Sequence, residues 1–489
     1  MDNRFDEYIL KMHEALPIGQ SFDVLERKFV IGGRSASMFF AEGLTSGEKT
    51  QWLLEYLLAL KDKEVSQAKS TEDFIEQNMP FLSCSTETKM ESILKSLFSG
   101  LVPLIIDGFD KVIIIDERYY PARGVEEPEK EKTLRGAKDG FTESIMTNIA
   151  LIRRRIRDHR LVFEHHAVGE ITQTDTCIVF MKGIADESIV KRLGQKIDQL
   201  DINTVTVGEQ TIVEALGEKE GEKKGRINWL NPFPKVRYTQ RPDVVAAHIT
   251  EGKIAIMIDN SPTIILLPTG IFDFMQDVDD YYFPAMTGNY FRLLRILNFI
   301  LILFLTPIYL LIVDGYVSTY KFMEFAIPTN DYAIMLFWQF IILEIAIDAL
   351  KLASLNTPNS LGMSLSVIGA LILGEFSIQT GWFIPQTILC MAVVALASFT
   401  QPSIELQYGI KFMRILILIG SEFFGLWGFG TGLLIGLFVM GTTKTLVGTS
   451  YFYPLIPFNK TALMRLLFRS KRGKEESYCT GFSNSALKK

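Results

Sequence analysis

Cysteine is scarce in this sequence. There are four in 489 residues, Cys84, Cys177, Cys390 and Cys479, with no CxxC pair and with Cys390 inside an apolar run. That excludes a disulfide-built fold and points to free thiols in a reducing compartment. Of the five histidines only His165 and His166 are adjacent, so no spacing suits a metal-ligand set. A Ser/His/Asp order, a glycine-rich phosphate loop and a metal cluster are all lacking, and with them any reason to expect an enzyme or a cofactor. The net charge of −6 argues against nucleic acid as the main partner. The opening residues, MDNRFDEYILKMHEALPIGQ, lack the basic, apolar, then small pattern of a secretory signal. The soluble part is therefore expected in the cytosol.

What is abundant is hydrophobicity, unevenly spread. The chain is 48% hydrophobic with a mean hydropathy of +0.20. Residues 1–230 mix charged and apolar residues as a globular domain does, whereas long apolar runs dominate from Leu293 to Val447. The expectation is an α+β cytosolic domain followed by a polytopic α-helical membrane domain. The boundaries expected are 1–216 for the cytosolic domain and 217–230 for a charged linker containing GEKEGEKKGR. A juxtamembrane β-hairpin segment follows at 231–290, then the transmembrane domain at 291–447 and a basic cytosolic tail at 448–489.

The soluble part carries an internal echo. KFVIGGRSASMFFAEGL (Lys28–Leu44) alternates apolar and polar residues about a Gly-Gly turn, and the helical pattern GEKTQWLLEYLLAL follows. HAVGEITQTDTCIVFMKGI (His166–Ile184) repeats that layout with a longer turn and leads into DESIVKRLGQKIDQL. Phe40 and Gly43 match Phe180 and Gly183 at equal offset, so two related α/β subdomains are expected. PLIIDGFDKVIIIDE (Pro103–Glu117) reads as a hairpin with an Asp-Gly turn. Turn chemistry explains Asp107 and Asp110 more cheaply than a metal site with Asp116. FTESIMTNIALIRRRIRD (Phe141–Asp158) reads as a helix ending in a basic cluster. Its five arginines from Arg153 to Arg160 suit a solvated face at a helix C-terminus, or a contact with nucleic acid, anionic lipid or an acidic neighbour such as another subunit.

In the apolar half six segments can be drawn, at roughly 293–313, 332–353, 361–379, 382–400, 410–428 and 429–447. The last two are short and split by Gly425, Gly428, Gly430 and Gly432, which leaves a re-entrant pair as an alternative to two spans. Arg292, Arg295, Lys351, Lys411, Arg414, Lys444 and the basic tail fall on one side, and Lys321 alone on the other. That bias implies both termini in the cytosol. Four acids lie inside these segments: Glu344, Asp348, Glu375 and Glu422. Each is costly in lipid and is expected to face protein or water. Glu344, Asp348 and Lys351 share one helical face, which allows a structural Asp348–Lys351 pair or a part in ion passage.

Between them lies NTPNSLGMSLSVIGALILGE (Asn356–Glu375). On a helix, Ser360, Ser364, Val367, Leu371 and Gly374 form one stripe beside a bulky stripe of Leu361, Leu365, Ile368 and Ile372. Hydroxyls grading into aliphatic side chains suit a pore lined by a ring of subunits, with closure by dewetting. Packing of small residues against a neighbouring helix suits the same pattern.

Five blocks carry a resemblance to a known family: GFTESIMTNIALIRRRIRD, VFMKGIADESIV, RYTQRPDVVAAHITEGKIAIMIDNSPTIILLP, DVDDYYFPAMTGNYFRLLR and the apolar half. With these the chain resembles the A subunits of the spore germinant receptor (GerA) family, from about residue 22 to about residue 470. FMKGIAD and DVDDYYFP depart from the family's usual wording, which bears only on subfamily. The resemblance implies a multi-pass protein of the spore inner membrane acting with a transporter-like B subunit, which binds the nutrient, and a lipoprotein C subunit. It implies a homo-oligomer, a pentamer, forming a ligand-gated channel for monovalent cations. On that reading Val367 and Leu371 form the constriction, and Asp273, Asp277, Asp279 and Asp280 gather cations at the cytosolic mouth. The alternative is a scaffold that transmits a signal without conducting.

Overall fold

The computed structural model describes residues 4–80, 83–120, 131, 133–205, 208–217, 231–317, 327–328, 332–356, 367, 369 and 371–468. The soluble half is one motif used twice. The first copy runs α1 (Arg4–Ala15), β1 (Val24–Ile31), β2 (Arg34–Ala41), α2 (Gly47–Ala59), α3 (Asp62–Gln67), α4 (Thr71–Asn78), β3 (Cys84–Glu87), α5 (Met90–Leu97), β4 (Val102–Ile106) and β5 (Val112–Ile115). The second runs α6 (Ile145–Arg155), β6 (Leu161–Val168), β7 (Thr174–Met181), α7 (Glu187–Asp198), α8 (Glu209–Gly217), β8 (Arg237–Thr239), α9 (Pro242–Thr250), β9 (Ile254–Ile258) and β10 (Ile264–Leu267). Each copy builds an antiparallel five-stranded sheet, ordered β1-β2-β4-β5-β3 and β6-β7-β9-β10-β8.

Helices cover both faces of each sheet. In the first, Met12, Leu16, Ile93 and Leu97 pack on one face, and Leu53, Leu57, Val65 and Phe74 on the other. In the second, α6 and α9 supply one face while α7 and α8 supply the opposite one. Burial on both faces is why β4, β5, β9 and β10 are unbroken apolar runs rather than alternating ones. The turn of the first hairpin is Gly32–Gly33, both at positive φ (49° and 76°), as a two-residue turn matching the strand twist requires.

This topology corrects the domain boundary placed at residue 216. β9 sits at the centre of the second sheet, bonded to β7 on one side and β10 on the other. Residues 231–267 therefore finish a domain that α6 begins, and the charged run at 217–230 interrupts that domain instead of ending it. A three-residue β8 gives too short a pattern to be read from sequence.

The copies are joined by a buried ion pair. Arg153, in the last turn of α6, donates through Nε to Asp23 at 2.8 Å, and both side chains are 0% exposed. The guanidinium also donates to the carbonyl of Leu161 at 3.0 Å and lies over the rings of Phe98 and Phe163. Ser21 accepts from the Phe163 amide, so the segment entering β1 is clipped onto β6. Arg153 thus takes the acidic-neighbour alternative, whereas Arg160, paired with Asp158, stays on the solvated face.

The apolar half contains α10 (Asp279–Tyr282), α11 (Ala285–Val313), α12 (Leu336–Asn356), α13 (Ser377–Gln379), α14 (Pro385–Phe399), α15 (Ile404–Thr442) and α16 (Lys460–Leu467). Among the described residues, α11 and α15 are long and apolar enough to cross a membrane, with mean hydropathies of 2.7 and 1.9. α15 does not run straight. Gly425, at φ 56° and ψ −133°, breaks it into two arms that fold back on each other. Gly420 faces Gly428 backbone to backbone, a Cβ on Gly432 would stand 2.9 Å from the Cα of Ile417, and Gly436 abuts Met413. Gly420, Gly428, Gly432 and Gly436 thus form the contact line of a helical hairpin, where small residues let backbones approach, while Gly425 makes the break and Gly430 faces away from the contact.

Two outcomes are expected. Arg153→Ala leaves Asp23 buried without its partner and lowers stability by about 3–5 kcal/mol, read from chemical denaturation of the detergent-solubilised chain. Arg160→Ala on the exposed pair costs no more than about 1 kcal/mol; equal losses for the two variants would deny Arg153 its joining role. At the hairpin, a Cβ on Gly425 would meet the Tyr316 ring at 2.6 Å as well as requiring a left-handed φ. Gly425→Val should therefore sharply lower the yield of an engineered disulfide between Met413→Cys and Gly436→Cys, and an unchanged yield would show that the turn does not need glycine.

Candidate functional site

The route from the second sheet to α11 is fixed by charge. After β10 the chain makes a single 3-10 turn, Ile271–Met275. Asp273 in that turn is 1% exposed and pairs with Lys253 at 2.8 Å. Its carboxylate also accepts the Gly270 amide. Arg237 of β8 donates to the carbonyls of Asp273 and Gln276 at 2.7 and 3.3 Å. A few residues on, Asp280 is 0% exposed and held by Arg292 and Arg295 of α11. Arg295 further donates to the carbonyl of Met275 at 3.0 Å. The carbonyl of Arg295 itself accepts from Gln401, at the entrance to α15.

Of the four aspartates expected to gather cations, two are therefore already neutralised by cations of the chain itself. Asp273 and Asp280 are held inside the junction, and that removes them from the mouth. Asp277 and Asp279 remain half-buried. Burial, then the charge of Asp277, raises the pKa of Asp279. Asp277 lines a cavity of about 360 Å³ between β8, the start of α8 and the start of α15. Glu209 and Glu405 share its wall, accepting from Ser261 and Ser403 at 2.8 Å. Glu131 lines it too, beside Arg237 and Arg241; sequence separation hid this grouping, and only the fold brings the four acids to one cavity.

A second charged group lies among the apolar helices. Glu344 and Asp348, one turn apart on α12, face Lys411 and Arg414 on the first arm of α15. Arg414 holds Glu344, and Lys411 holds Asp348 while standing 3.2 Å from Glu344. Arg414 also donates to the carbonyl of Ile302 on α11 at 3.0 Å, so three helices meet at one guanidinium. Beside them is a cavity of about 30 Å³, room for a water molecule. The Asp348–Lys351 pair expected from spacing is not formed. Lys351 instead lies over the rings of Phe399 and Tyr408, 5.1 and 6.0 Å from their centroids. Helical spacing identified the right face of α12 but could not name partners 63 and 70 residues away.

The remaining acids are less engaged. Glu375 is exposed in the π-helical turn Leu371–Phe376 and accepts from Gln379 at 3.3 Å. Glu422 is half-buried on the first arm of α15. Of the candidate pore stripe, Ser360 and Ser364 lie outside the described residues. Val367 is helical and 56% exposed, Leu371 begins the π-helical turn, and Gly374 has no heavy atom within 4 Å of where a Cβ would stand. Asp110 accepts from Thr71 and Asp116 pairs with Arg118, so these two carboxylates serve the turn and the strand end.

A duplicated α/β/α module joined to an apolar helical layer, itself laced with charge, defines a class: a two-module α/β half continued by a membrane-type helical half. The chain matches the Bacillus/Clostridium GerA spore germination protein family over residues 12–477, and it belongs to that family. It is 32% identical over 455 residues to stage V sporulation protein AF of Bacillus subtilis (strain 168), covering 93% of this chain and 90% of the relative. It is 28% identical over 466 residues to spore germination protein KA of the same organism, covering 92% and 82%. Among solved structures it is similar to the N-terminal domain of the A subunit of the Bacillus megaterium spore germinant receptor GerK3. That match has 29% identity and a TM-score of 0.37, covering 53% of this chain and 92% of the other.

The ion-pair network generates its own test. Arg414→Ala leaves the buried Glu344 to Lys411 alone, 3.2 Å away, and should lower stability, though by less than the roughly 3–5 kcal/mol of a fully broken buried pair. A double-mutant cycle with Glu344→Gln should return a coupling of more than about 1 kcal/mol; a coupling near zero would mean that the two side chains act independently.

Proposed function

We propose that this chain is the A-type subunit of a nutrient-germinant receptor in the spore inner membrane, oligomerising into a ligand-gated channel for monovalent cations. Family membership supports the role in germination. The observation that carries the channel reading is the Glu344–Arg414 and Asp348–Lys411 ladder, because ionisable groups kept among apolar helices cluster on ion pathways and their gates. In this proposal the helices span the membrane with both termini cytosolic, and five copies surround a pore lined by Ser360, Ser364, Val367, Leu371 and Gly374. Val367 and Leu371 form the constriction. The acidic cavity of Asp277, Glu209 and Glu405 takes the cation-gathering role at the mouth. A transporter-like B subunit would bind the nutrient, with a lipoprotein C subunit completing the receptor.

The ladder offers a gating mechanism. Lys411 stands within reach of two carboxylates one helical turn apart, so a shift of α15 against α12 would pass Lys411 from Asp348 to Glu344. α12 leads toward Val367, so such a shift would reach the constriction.

The test is potassium efflux from potassium-loaded liposomes carrying the purified chain. Val367→Ala should release potassium faster than wild type, and Val367→Phe should block release again. Tight vesicles for all three, with folding and assembly verified, would assign conduction to a partner and leave this chain a non-conducting scaffold.

A further inference from the structure

Glu117, two residues past β5, is 0% exposed. Among the described residues no cation pairs with it, and its Oε1 has no hydrogen-bond partner. Its Oε2 lies 2.6 Å from the hydroxyl of Thr50 on α2, and that hydroxyl lies 2.9 Å from the carbonyl of Ser46. A threonine hydroxyl has one hydrogen to give, and the Ser46 carbonyl can only accept it. An ionised Glu117 could also only accept, so one of the two short contacts would be left without a hydrogen. Both are satisfied when Glu117 carries a hydrogen and donates it to Thr50 Oγ1, while Thr50 donates to Ser46. Burial raises the Glu117 pKa, outweighing the Thr50 contact and the charge of Lys49.

The ionisable neighbours offer little compensation for a charge here. Lys49 on α2 is exposed, and Cys84 on β3 is a thiol that burial pushes up to about 11. Asp116 and Arg118 pair with each other, and Arg154 of α6 lies over the Tyr120 ring. The second module has neutral groups at the corresponding places. Thr269, two residues past β10, is 0% exposed and donates to the Leu266 carbonyl, and Val190 stands four residues past the cap of α7 as Thr50 does past Ser46. We propose that Glu117 is protonated in the folded chain, and that loss of this proton to solvent releases the start of α2 from the end of β5, a pH-sensitive switch at the boundary between the modules. A buried carboxylate with one hydroxyl for company is costly, and moving α2 away relieves it. Ser46, which caps α2, also donates its amide to the Glu117 carbonyl at 3.2 Å, so side chain and backbone would loosen together. The segment leading into Ser46 touches the other module: a Cβ on Gly43 would stand 3.1 Å from the Cβ of Ala150 on α6, and Leu44 packs with Ala150.

Infrared spectroscopy of the full detergent-solubilised chain reads the proton. At neutral pH the difference between wild type and Glu117→Gln should contain a carboxylic-acid carbonyl band. In Thr50→Val, a residue the second module already holds at this place, the band should move to higher frequency as the carboxyl loses its acceptor. Hydrogen exchange over α2, corrected for its intrinsic rate, reads the switch. Wild-type protection should fall by up to about tenfold per pH unit from the ordinary glutamate pKa of about 4.3 up to the raised value, because the folded state there keeps a proton that the released state gives up. Glu117→Gln donates to Thr50 through an amide that does not ionise, so its protection should stay level from about pH 5 to about pH 8. No carboxylic-acid band means an ionised Glu117 and overturns the proposal. A band accompanied by wild-type protection as level as that of Glu117→Gln overturns the switch.

Discussion

The Asp280 carboxylate, wholly buried and gripped by two arginines of α11, fixes the start of the apolar half, and Arg295 carries that grip on to the carbonyl of Met275 in the turn that leaves the second sheet. A charge removed from water must be matched by an opposite charge and hydrogen bonds, or the group does not remain ionised there. That requirement recurs at every level of this fold. Asp23 and Arg153 join the two soluble modules, Lys253 and Asp273 fix the turn that leaves the second sheet, and Glu344 and Arg414 join the apolar helices. Asp23–Arg153 and Glu344–Arg414 link elements far apart in sequence, Lys253–Asp273 the two ends of the central hairpin of the second sheet, and each loses its purpose if either element moves away.

The duplicated module explains why such pins are needed. Each sheet has helices on both faces and a core of its own, so neither requires the other for burial. Apolar contact between the copies is thin: Ala41, Leu44 and Ala150 form a small separate cluster. Directional contacts must then set the relative orientation, and Arg153, bonded to Asp23 and stacked between Phe98 and Phe163, does so from the centre of the boundary. The second module differs from the first in carrying a charged run between α8 and β8 and in passing directly into the membrane-type half.

Local patterns were legible in the sequence, and pairings over distance were not. The hairpins β1–β2 and β6–β7, the helices that follow them and the glycine-marked break in the last apolar stretch all follow from periodicity and turn chemistry. What was not legible is that residues 231–267 complete the second sheet, because its edge strand has three residues and its central hairpin comes after a stretch that reads as a linker. At the candidate site, intramembrane acids on α12 stood out by their cost, yet Lys411 and Arg414 read only as topological markers. The four juxtamembrane aspartates look alike as a cluster. Only burial separates Asp273 and Asp280, each serving the junction, from Asp277, which faces a cavity.

The ladder between α12 and α15 is better understood as a device of register than of strength. Well-packed apolar side chains of similar volume often hold elements together as firmly as a buried ion pair does. Among apolar helices in a bilayer there is no hydrophobic force to choose one sliding position over another, because lipid tails are as apolar as leucine. Two carboxylates one turn apart, set against two cations three residues apart, do choose: only certain offsets pair every charge. Lys411, within reach of both acids, makes a neighbouring offset accessible as well. A junction built this way resists separation and selects the sliding position of α15 against α12.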